Sequence, residues 1–387
     1  MTDSASAQSL DTAIVAALPD GAKVVSVTRH GNTRWSTGKR IDVEVGGGTK
    51  SYFVKVGASC PALLYREHAA FFVGGHQRMR AHNALRSPAQ IIEVNEYLEA
   101  ARGEFEGAKA IAAVIPDNTI APIAWGYFAG DRTKTWYLTE FRHLSEAAPP
   151  FDQLLAIVLK LHRGSASPNG RFGFHVTPFC GAPPMVVDWS DNWEEFWTRD
   201  FRAALAYLER VHGANAELEE VAEEFIDTVV PRLLRPLQTG GRDIKPSLCH
   251  GDLFDGNIHI DLDSGNPVIF DPCPFYGHAE MDLQCMRRAR YTVGHEFVKL
   301  YGKAAASEPK EDFDDRNVLY TIRNDILTAG MFPNRTFVLD DAIEDMRWLL
   351  AKYPDGIDGF KGDLTPTRTV TGGGQVHVDG LKGLGLH

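Results

Sequence analysis

Apolar residues recur at helical spacing from Leu10 to Leu18, and Pro19-Asp20-Gly21 stops the run with a turn. The period then changes to two. Lys23 to Val27 alternates, Arg40 to Val45 alternates again, and Gly46-Gly47-Gly48 turns the chain into an apolar strand, Ser51 to Val56. From Gly57 to about Asn95 neither period holds, and the stretch carries Cys60-Pro61, several His and Arg, and Arg86-Ser87-Pro88. A helix is expected from about Glu96 to Val114, with Leu98, Ala101, Phe105, Ala108 and Ile111 on one face and Pro116 ending it. Two strands follow, Ile120 to Phe128 and Thr135 to Phe141, joined by Ala129-Gly130-Asp131. Beyond the Pro149-Pro150 break the period is helical over Phe151 to His162. It is helical again from Asn192 through Leu208, with Asp191 as the expected N-cap, and over about Ala216 to Leu237. Later helices are expected over Glu280 to Tyr291, Asp312 to Met331 and Leu339 to Tyr353, with Phe275 to His278 as a loop. Residues 357–387, rich in Gly and Thr, read as a flexible tail.

One segment does not fit a purely helical second half. Residues 247–273 read SLCHGDLFDGNIHIDLDSGNPVIFDPC, two β-like runs around the turn Asp263-Ser264-Gly265-Asn266. In such a hairpin Asn257 begins one strand and Asp271 ends the other, so both lie at the same open end, with Asp252 on the loop just before. Three oxygen-bearing side chains therefore converge. Phosphoryl transfer from ATP needs such a set: a carboxylate to take or orient a hydroxyl proton, and a carboxylate with an amide to hold Mg²⁺, which prefers oxygen ligands. The Asp252-to-Asn257 spacing matches the protein-kinase catalytic loop, and Asp271 stands where a kinase places its metal-binding aspartate. An ordinary turn-rich hairpin with surface Asp and Asn is the plainer alternative for any one of these residues.

Upstream, Lys55 sits inside an apolar strand, where a charge is expensive without a partner. In the kinase pattern it contacts the ATP phosphates and pairs with a glutamate on the next helix. Glu104 is the first choice and Glu106 the second. Gly31, in the loop between the first two strands, is a candidate for covering the phosphates, though a plain hairpin turn fits those residues equally well. Glu140 and Phe141 close a strand at the position of the adenine-binding hinge.

Composition narrows the setting. With 44% hydrophobic and 24% charged residues the chain is globular, and its 387 residues suffice for two lobes. A net charge of −11 argues against a broad nucleic-acid surface. The five cysteines, Cys60, Cys180, Cys249, Cys273 and Cys285, are scattered without metal-ligand spacing and read as reduced thiols. No stretch reads as a signal peptide or membrane span, so the expectation is a cytoplasmic protein without a membrane partner.

Taken together, the blocks HGDLFDGN, PVIFDPCPFYGHAEMDL and FGFHVTPFCGAPPMVVDWSDNWEEFW resemble those of the fructosamine kinases, also called protein-ribulosamine 3-kinases. The likeness covers about residues 20–56 and 96–355. It implies an α+β, protein-kinase-like bilobal fold with a β-rich N-lobe over 20–148 and a mainly helical C-lobe over 149–356. An arm and helix would precede these lobes over 1–19, and residues 58–95 would be an insertion that loops out. The implied activity is ATP-dependent phosphorylation of the C3 hydroxyl of a ketoamine, a ribulose or fructose joined to a lysine amine of a glycated protein or small molecule. The implied roles are Asp252 as base, Asn257 and Asp271 as Mg²⁺ ligands, Lys55 on the phosphates and His278 on the acceptor side. Phe254, Asp255 and Cys273-Pro274 depart from the family pattern beside the site, which leaves the sugar open. An aminoglycoside- or choline-type kinase, or a non-catalytic kinase-like binding protein, are the competing readings.

Overall fold

The computed structural model describes residues 10–32, 36–57, 99–145 and 147–367. The expected insertion at 58–95, residues 33–35 of the first loop, Leu98 and residues 368–387 of the tail lie outside them. The short helix α1 (Thr12–Ala16) leads into three long strands, β1 (Lys23–Asn32), β2 (Ser36–Val45) and β3 (Gly48–Gly57). Val45 pairs with Gly48, leaving Gly46 and Gly47 as a two-residue turn with φ of 61° and 80°. That is a turn whose twist matches the strands and that L side chains resist. Helix α2 (Ala100–Val114) follows, then β4 (Pro122–Tyr127) and β5 (Thr135–Glu140). The five strands form one antiparallel sheet in the order β1-β2-β3-β5-β4.

Strand alternation assigns the two faces. Ile41, Val43, Tyr52, Val54, Trp136 and Leu138 cluster with Ile14 and Leu18 on the α1 side. Tyr137 turns the other way and packs on Ala101 and Ala108 of α2. Lys55, opposite Tyr137 in the ladder, therefore points to the α2 side.

The chain passes from this sheet to a second between Glu140 and Leu144, a few residues ahead of Pro149-Pro150. Strand β6 (Leu144–Ser145) already pairs with β8 (Ile258–Asp261) of the catalytic hairpin. Helices α3 (Phe151–Gly164), α4 (Trp193–His212) and α5 (Ala216–Leu234) come next, then β7 (Ser247–Cys249), β8, β9 (Pro267–Ile269) and β10 (Phe275–Gly277). Helices α6 (His295–Ala305), α7 (Phe313–Met331) and α8 (Thr336–Lys352) complete the lobe. Its core gathers Trp193, Phe196, Trp197, Phe201, Phe225 and Phe275 around α7. Every residue of α7 from Asp315 to Gly330 is buried, polar ones included. Arg316 bonds Glu280 (2.8 Å), Arg323 bonds Asp200 (2.7 Å), and Asp325 receives Arg288 and Arg290. A buried charge without such a partner would cost several kcal/mol on the order of 3–5. Among the described residues no helix is long and apolar enough to cross a membrane.

Several local expectations are corrected. Residues 280–291 form no α-helix, only a 3₁₀ turn at Ala279–Leu283, because the carboxylates of Glu280 and Asp282 are drawn inward to fixed partners. Phe275–Gly277 is strand β10, and helix α6 was not foreseen. The N-cap of α4 is Asn192, whose Oδ1 accepts from Glu195 N at 2.9 Å, while Asp191 pairs with Arg171. Residues 357–367 are docked, with Gly240 N donating to Thr365 O (2.7 Å) and Phe360 beneath the guanidinium groups of Arg232 and Arg242. Their anchorage runs through backbone bonds and one aromatic ring, which a Gly- and Thr-rich composition conceals.

Helix α2 is seated on both lobes. A Cβ at Gly103 would lie 2.7 Å from Thr177 O, and one at Gly107 would lie 2.2 Å from Pro274 Cγ. Just beyond α2, Asn118 Nδ2 donates to Pro267 O (2.9 Å) and Thr119 Oγ1 to Ile269 O (2.8 Å), tying the helix end to β9.

Candidate active site

In the β8–β9 hairpin Ile258 faces Ile269, so Asn257 and Asp271 emerge at the same end. Asn257 Nδ2 donates to Asp252 O (2.8 Å), Asp252 Oδ2 (3.1 Å) and Asp271 O (3.4 Å). With its nitrogen directed at Asp252, the Asn257 amide keeps its oxygen as an acceptor. Asp271 has φ 59°, the one positive φ at a non-glycine among the described residues. Such a conformation is uncommon outside glycine, though Asp tolerates it better than most residues, and it clusters at functional sites. It carries the carboxylate out of the strand direction to Lys55.

Lys55 Nζ lies 3.1 Å from Glu104 Oε2 and also bonds Asp271. One ammonium therefore serves two carboxylates. Burial would lower the Lys55 pKa, but the charges of Asp271 and Glu104 outweigh it and hold the pKa well above its usual value. Burial pushes the Glu104 carboxyl up to about 8, with Asp271's charge adding to the effect and Lys55 opposing it. Burial also raises Asp252, again reinforced by Asp271, to about 7. Glu106 lies apart from this cluster, 3.7 Å from Lys109 and 3.6 Å from His175.

The loop bearing Asp252 is held from below. Asp282 Oδ2 accepts from His250 N (2.8 Å) and Oδ1 from Gly251 N (2.7 Å), while His162 Nε2 bonds the same carboxylate at 3.0 Å. Gln284 Nε2 donates to Gly251 O (2.9 Å), and Cys273 N donates to His250 O (2.9 Å). Gly251 has φ 81°, and a Cβ there would stand 1.8 Å from Cys273 O. Only glycine fits between His250 and Asp252. Gly251→Ala is expected to melt at least several degrees lower and to lose most activity, since backbone must shift beside both Asp252 and Asp271. A melting scan and a rate measurement on the variant check this, and a variant indistinguishable from the parent would contradict it.

The signature blocks noted in the sequence build this support. Strand β10, within FYGH, pairs with β7 immediately before the loop, and Gly173 of the FGF block exchanges two 2.9 Å bonds with Tyr276. Asp282 and His162 were missed in the sequence, where Asp282 falls in an apparent amphipathic helix. An acidic residue flanked by Met281 and Leu283 was the available signal. His162, Cys249 and Asp282 bring potential ligand atoms within 4.8 Å of one another. Asp282's bonds to two backbone N–H groups and His162, and a Cys249 thiol pushed by burial well above its usual pKa, make this a hydrogen-bonded strut.

A cleft of about 870 Å³ runs between the lobes, lined by Lys55, Glu104, Asp252, Asn257 and Asp271 together with Gly31, Glu140 and Phe141. Gly31 lies near the end of β1, with φ 80°. Phe141 N donates to Ser51 O (3.1 Å), so that N–H is already committed. The Phe141 ring instead meets His30 edge-on (4.8 Å) and lies under the Arg40 guanidinium (4.6 Å). Glu140 pairs with Arg142 at 3.3 Å. Across the cleft Phe254 meets Tyr291 edge-on at 5.8 Å. Asp255, the alternative base, is occupied elsewhere: its carboxylate accepts from the backbone N–H groups of Thr292 and Val293.

His278 does not line the cleft. It is 2% exposed, bonding Tyr320 OH through Nδ1 (2.8 Å) and Ser307 Oγ through Nε2 (2.9 Å), with Glu280 at 3.7 Å. An aromatic loop residue reads alike in sequence whether it faces a cleft or a core. Burial lowers its pKa from 6.5 to about 4, Glu280 opposing and Arg316 adding to the effect. The unfolded chain thus binds this proton more readily than the native one, so stability rises with pH across that window. Acidifying from pH 6.5 to 4 is expected to remove on the order of 3 kcal/mol through this residue. His278→Gln should be less stable at pH 8 and show a flatter decline in that window when unfolding is followed by denaturant titration. An unaltered slope would refute the assignment.

Asn257 Oδ1 and the Asp271 carboxylate are oxygen donors at one end of a hairpin, the donor chemistry a hard divalent cation accepts. Among the described residues no cysteine or histidine forms a ligand cluster with Asp271.

The fold is similar to that of a protein assigned as a fructosamine-3-kinase from Haemophilus somnus 129PT, with a TM-score of 0.61 over 85% of this chain and 92% of that one. At 14% identity that likeness shows the fold alone. By sequence the chain is 40% identical over 114 residues to ketosamine-3-kinase of Mus musculus, covering 29% of this chain and 34% of that protein. It is 27% identical over 199 residues to the chloroplastic protein-ribulosamine 3-kinase of Oryza sativa subsp. indica, covering 49% and 53%. These matches span between about a third and a half of the curated relatives' length. The description of the fructosamine kinase family matches far more, residues 43–338, and with that match, on a protein-kinase-like α+β fold, the chain belongs to the fructosamine kinase family.

Proposed function

We propose that the protein is an ATP-dependent kinase that phosphorylates the C3 hydroxyl of ketoamines, the ribulose and fructose adducts of lysine amines. One observation carries this reading: Lys55, Asp252, Asn257 and Asp271 come from both lobes and meet on a single cleft. Residues 20–148 then serve the nucleotide and residues 149–356 the acceptor. Lys55 holds the phosphates, and the backbone near Glu140 meets the adenine through groups other than the Phe141 N–H. Asn257 and Asp271 would hold Mg²⁺, which when bound neutralises charge on the β- and γ-phosphates. Asp252 orients the acceptor hydroxyl and takes its proton. A carboxyl pushed up to about 7 suits a base working near neutral pH. The 3-phosphate destabilises the adduct, so the amine is released and glycation reversed. The relatives' names, ketosamine-3-kinase and protein-ribulosamine 3-kinase, support the same acceptor class. The four cysteines among the described residues are free, buried thiols, which suits a reducing cytoplasm.

The test is ADP release with Mg²⁺ and a panel of acceptors: ribulosyl-lysine, fructosyl-lysine, choline and kanamycin. Turnover confined to the two ketoamines is the expected result. Turnover only on choline or kanamycin would transfer the protein to another acceptor class, and nucleotide binding without turnover would make it a binding protein.

A further inference from the structure

We propose that Asn324 is an acceptor-binding residue, whose side-chain N–H donates to an oxygen on a carbon adjacent to the phosphorylated hydroxyl. This deepens the ketoamine kinase reading and rests on it.

Asn324 lies on α7 and lines the same cleft as Asp252, beside Cys285 and Tyr291. It is 6% exposed. Its Oδ1 faces the Cys285 thiol at 3.6 Å, and a thiol hydrogen can only be given to the oxygen end of the amide. The nitrogen end then points the other way, and Nδ2 is buried with no hydrogen-bond partner among the described residues. Buried amide N–H groups are seldom left unpaired, because the loss is about 1–3 kcal/mol each. An orphan donor on a residue lining the cleft that also holds the candidate general base is explained by a partner that arrives with the substrate.

The neighbours of Asn324 fix its position. Arg323 is bonded to Asp200 at 2.7 Å, and Asp325 to Arg288 and Arg290. Helix α7 therefore cannot rotate to bring the amide elsewhere. Thr328, one turn on, lines the same cleft, and Met331 and Phe332 follow on the next turn. Residues at i, i+4 and i+7 or i+8 share one helix face. That face offers polar groups to the cleft at Asn324 and Thr328 and an apolar surface farther along at Met331 and Phe332. A sugar with its hydroxyls at the polar end and a methylene arm along the apolar end matches the order of groups in a ketoamine of lysine.

The experiment compares wild type, Asn324→Ala and Asn324→Asp with fructosyl-lysine and its 2-deoxy and 4-deoxy counterparts, following ADP release. For Asn324→Ala the acceptor KM should rise and kcat/KM fall by roughly 10- to 100-fold, with the KM for ATP and the melting temperature unchanged. Wild type should show a similar loss with one of the two deoxy acceptors, and Asn324→Ala should lose no more than about twofold further on that acceptor, the non-additivity of two partners in one bond. Asn324→Asp, isosteric and without the donor once ionised, repeats the test at alkaline pH should the alanine variant melt early. Additive losses overturn the proposal. So does a wild-type enzyme that uses both deoxy acceptors as well as the parent, a result that needs no variant. A wild type inert on every ketoamine overturns the ketoamine reading and this one with it, whereas an active wild type with additive losses overturns only the role of Asn324.

Discussion

Asp271→Asn is expected to lose all measurable ADP release while melting no lower than the parent. The carboxylate is the charged oxygen donor beside the Asn257 amide that would hold a hard cation there, and an amide in its place removes the negative charge and one of the two oxygen donors without changing shape. Stability should survive for two reasons. Lys55 keeps Glu104 at 3.1 Å, and the substitution removes one of two carboxylates crowding a single ammonium. Asparagine is also among the residues most tolerant of the left-handed conformation at φ 59°, which makes it a cleaner probe than alanine. Nucleotide titrations with and without Mg²⁺ should show the metal-dependent part of ATP binding gone. A variant with wild-type turnover would remove Asp271 from the metal site.

The second large effect is expected at Asp252. Asp252→Asn should lower the rate by about 10²- to 10⁴-fold, the range that loss of a general base produces. ATP binding should be nearly intact. The substituted amide can still offer an oxygen to Asn257 Nδ2, so the hydrogen bond now measured at 3.1 Å has a replacement acceptor. Rates at saturating acceptor and a separate ATP titration distinguish the two quantities. An unchanged rate would displace the base from Asp252, and Asp255 could not inherit the role without releasing the backbone of Thr292 and Val293.

The convergence of Asp252, Asn257 and Asp271 was legible because it depends on local geometry. A turn between alternating strands fixes which residues share a hairpin end, and the β8–β9 register follows that pattern. The five-stranded sheet was legible for the same reason. What stayed hidden is the buried polar scaffolding of the helical lobe. Glu280, Asp282, Arg316, Arg323 and Asp325 look like the solvated face of amphipathic helices, yet each is nearly inaccessible and bonded to a partner distant in sequence. Periodicity cannot separate a charged residue facing water from one facing its counter-ion. The same blindness hid the burial of His278 and made residues 280–291 a helix. Gly251 and Asp271 were read for their chemistry, while their left-handed backbones emerged only from the structure.

In protein kinases the helix carrying the lysine's glutamate partner is a point of control, swung in or out to make or break the ion pair. Helix α2 has little freedom for that movement. Gly103 and Gly107 let it descend onto Thr177 and Pro274, at distances where even a methyl group would collide, and its end is tied to β9 through Asn118 and Thr119. Glu104 thus belongs mechanically to the same block as Asp271. Regulation by rotating this helix would have to unseat it from the other lobe, so the ion pair is built to stand permanently assembled. Under the proposed function such an enzyme would be governed by the supply of its acceptor, with no off state at this helix, which would suit a repair activity that must be ready whenever damage appears.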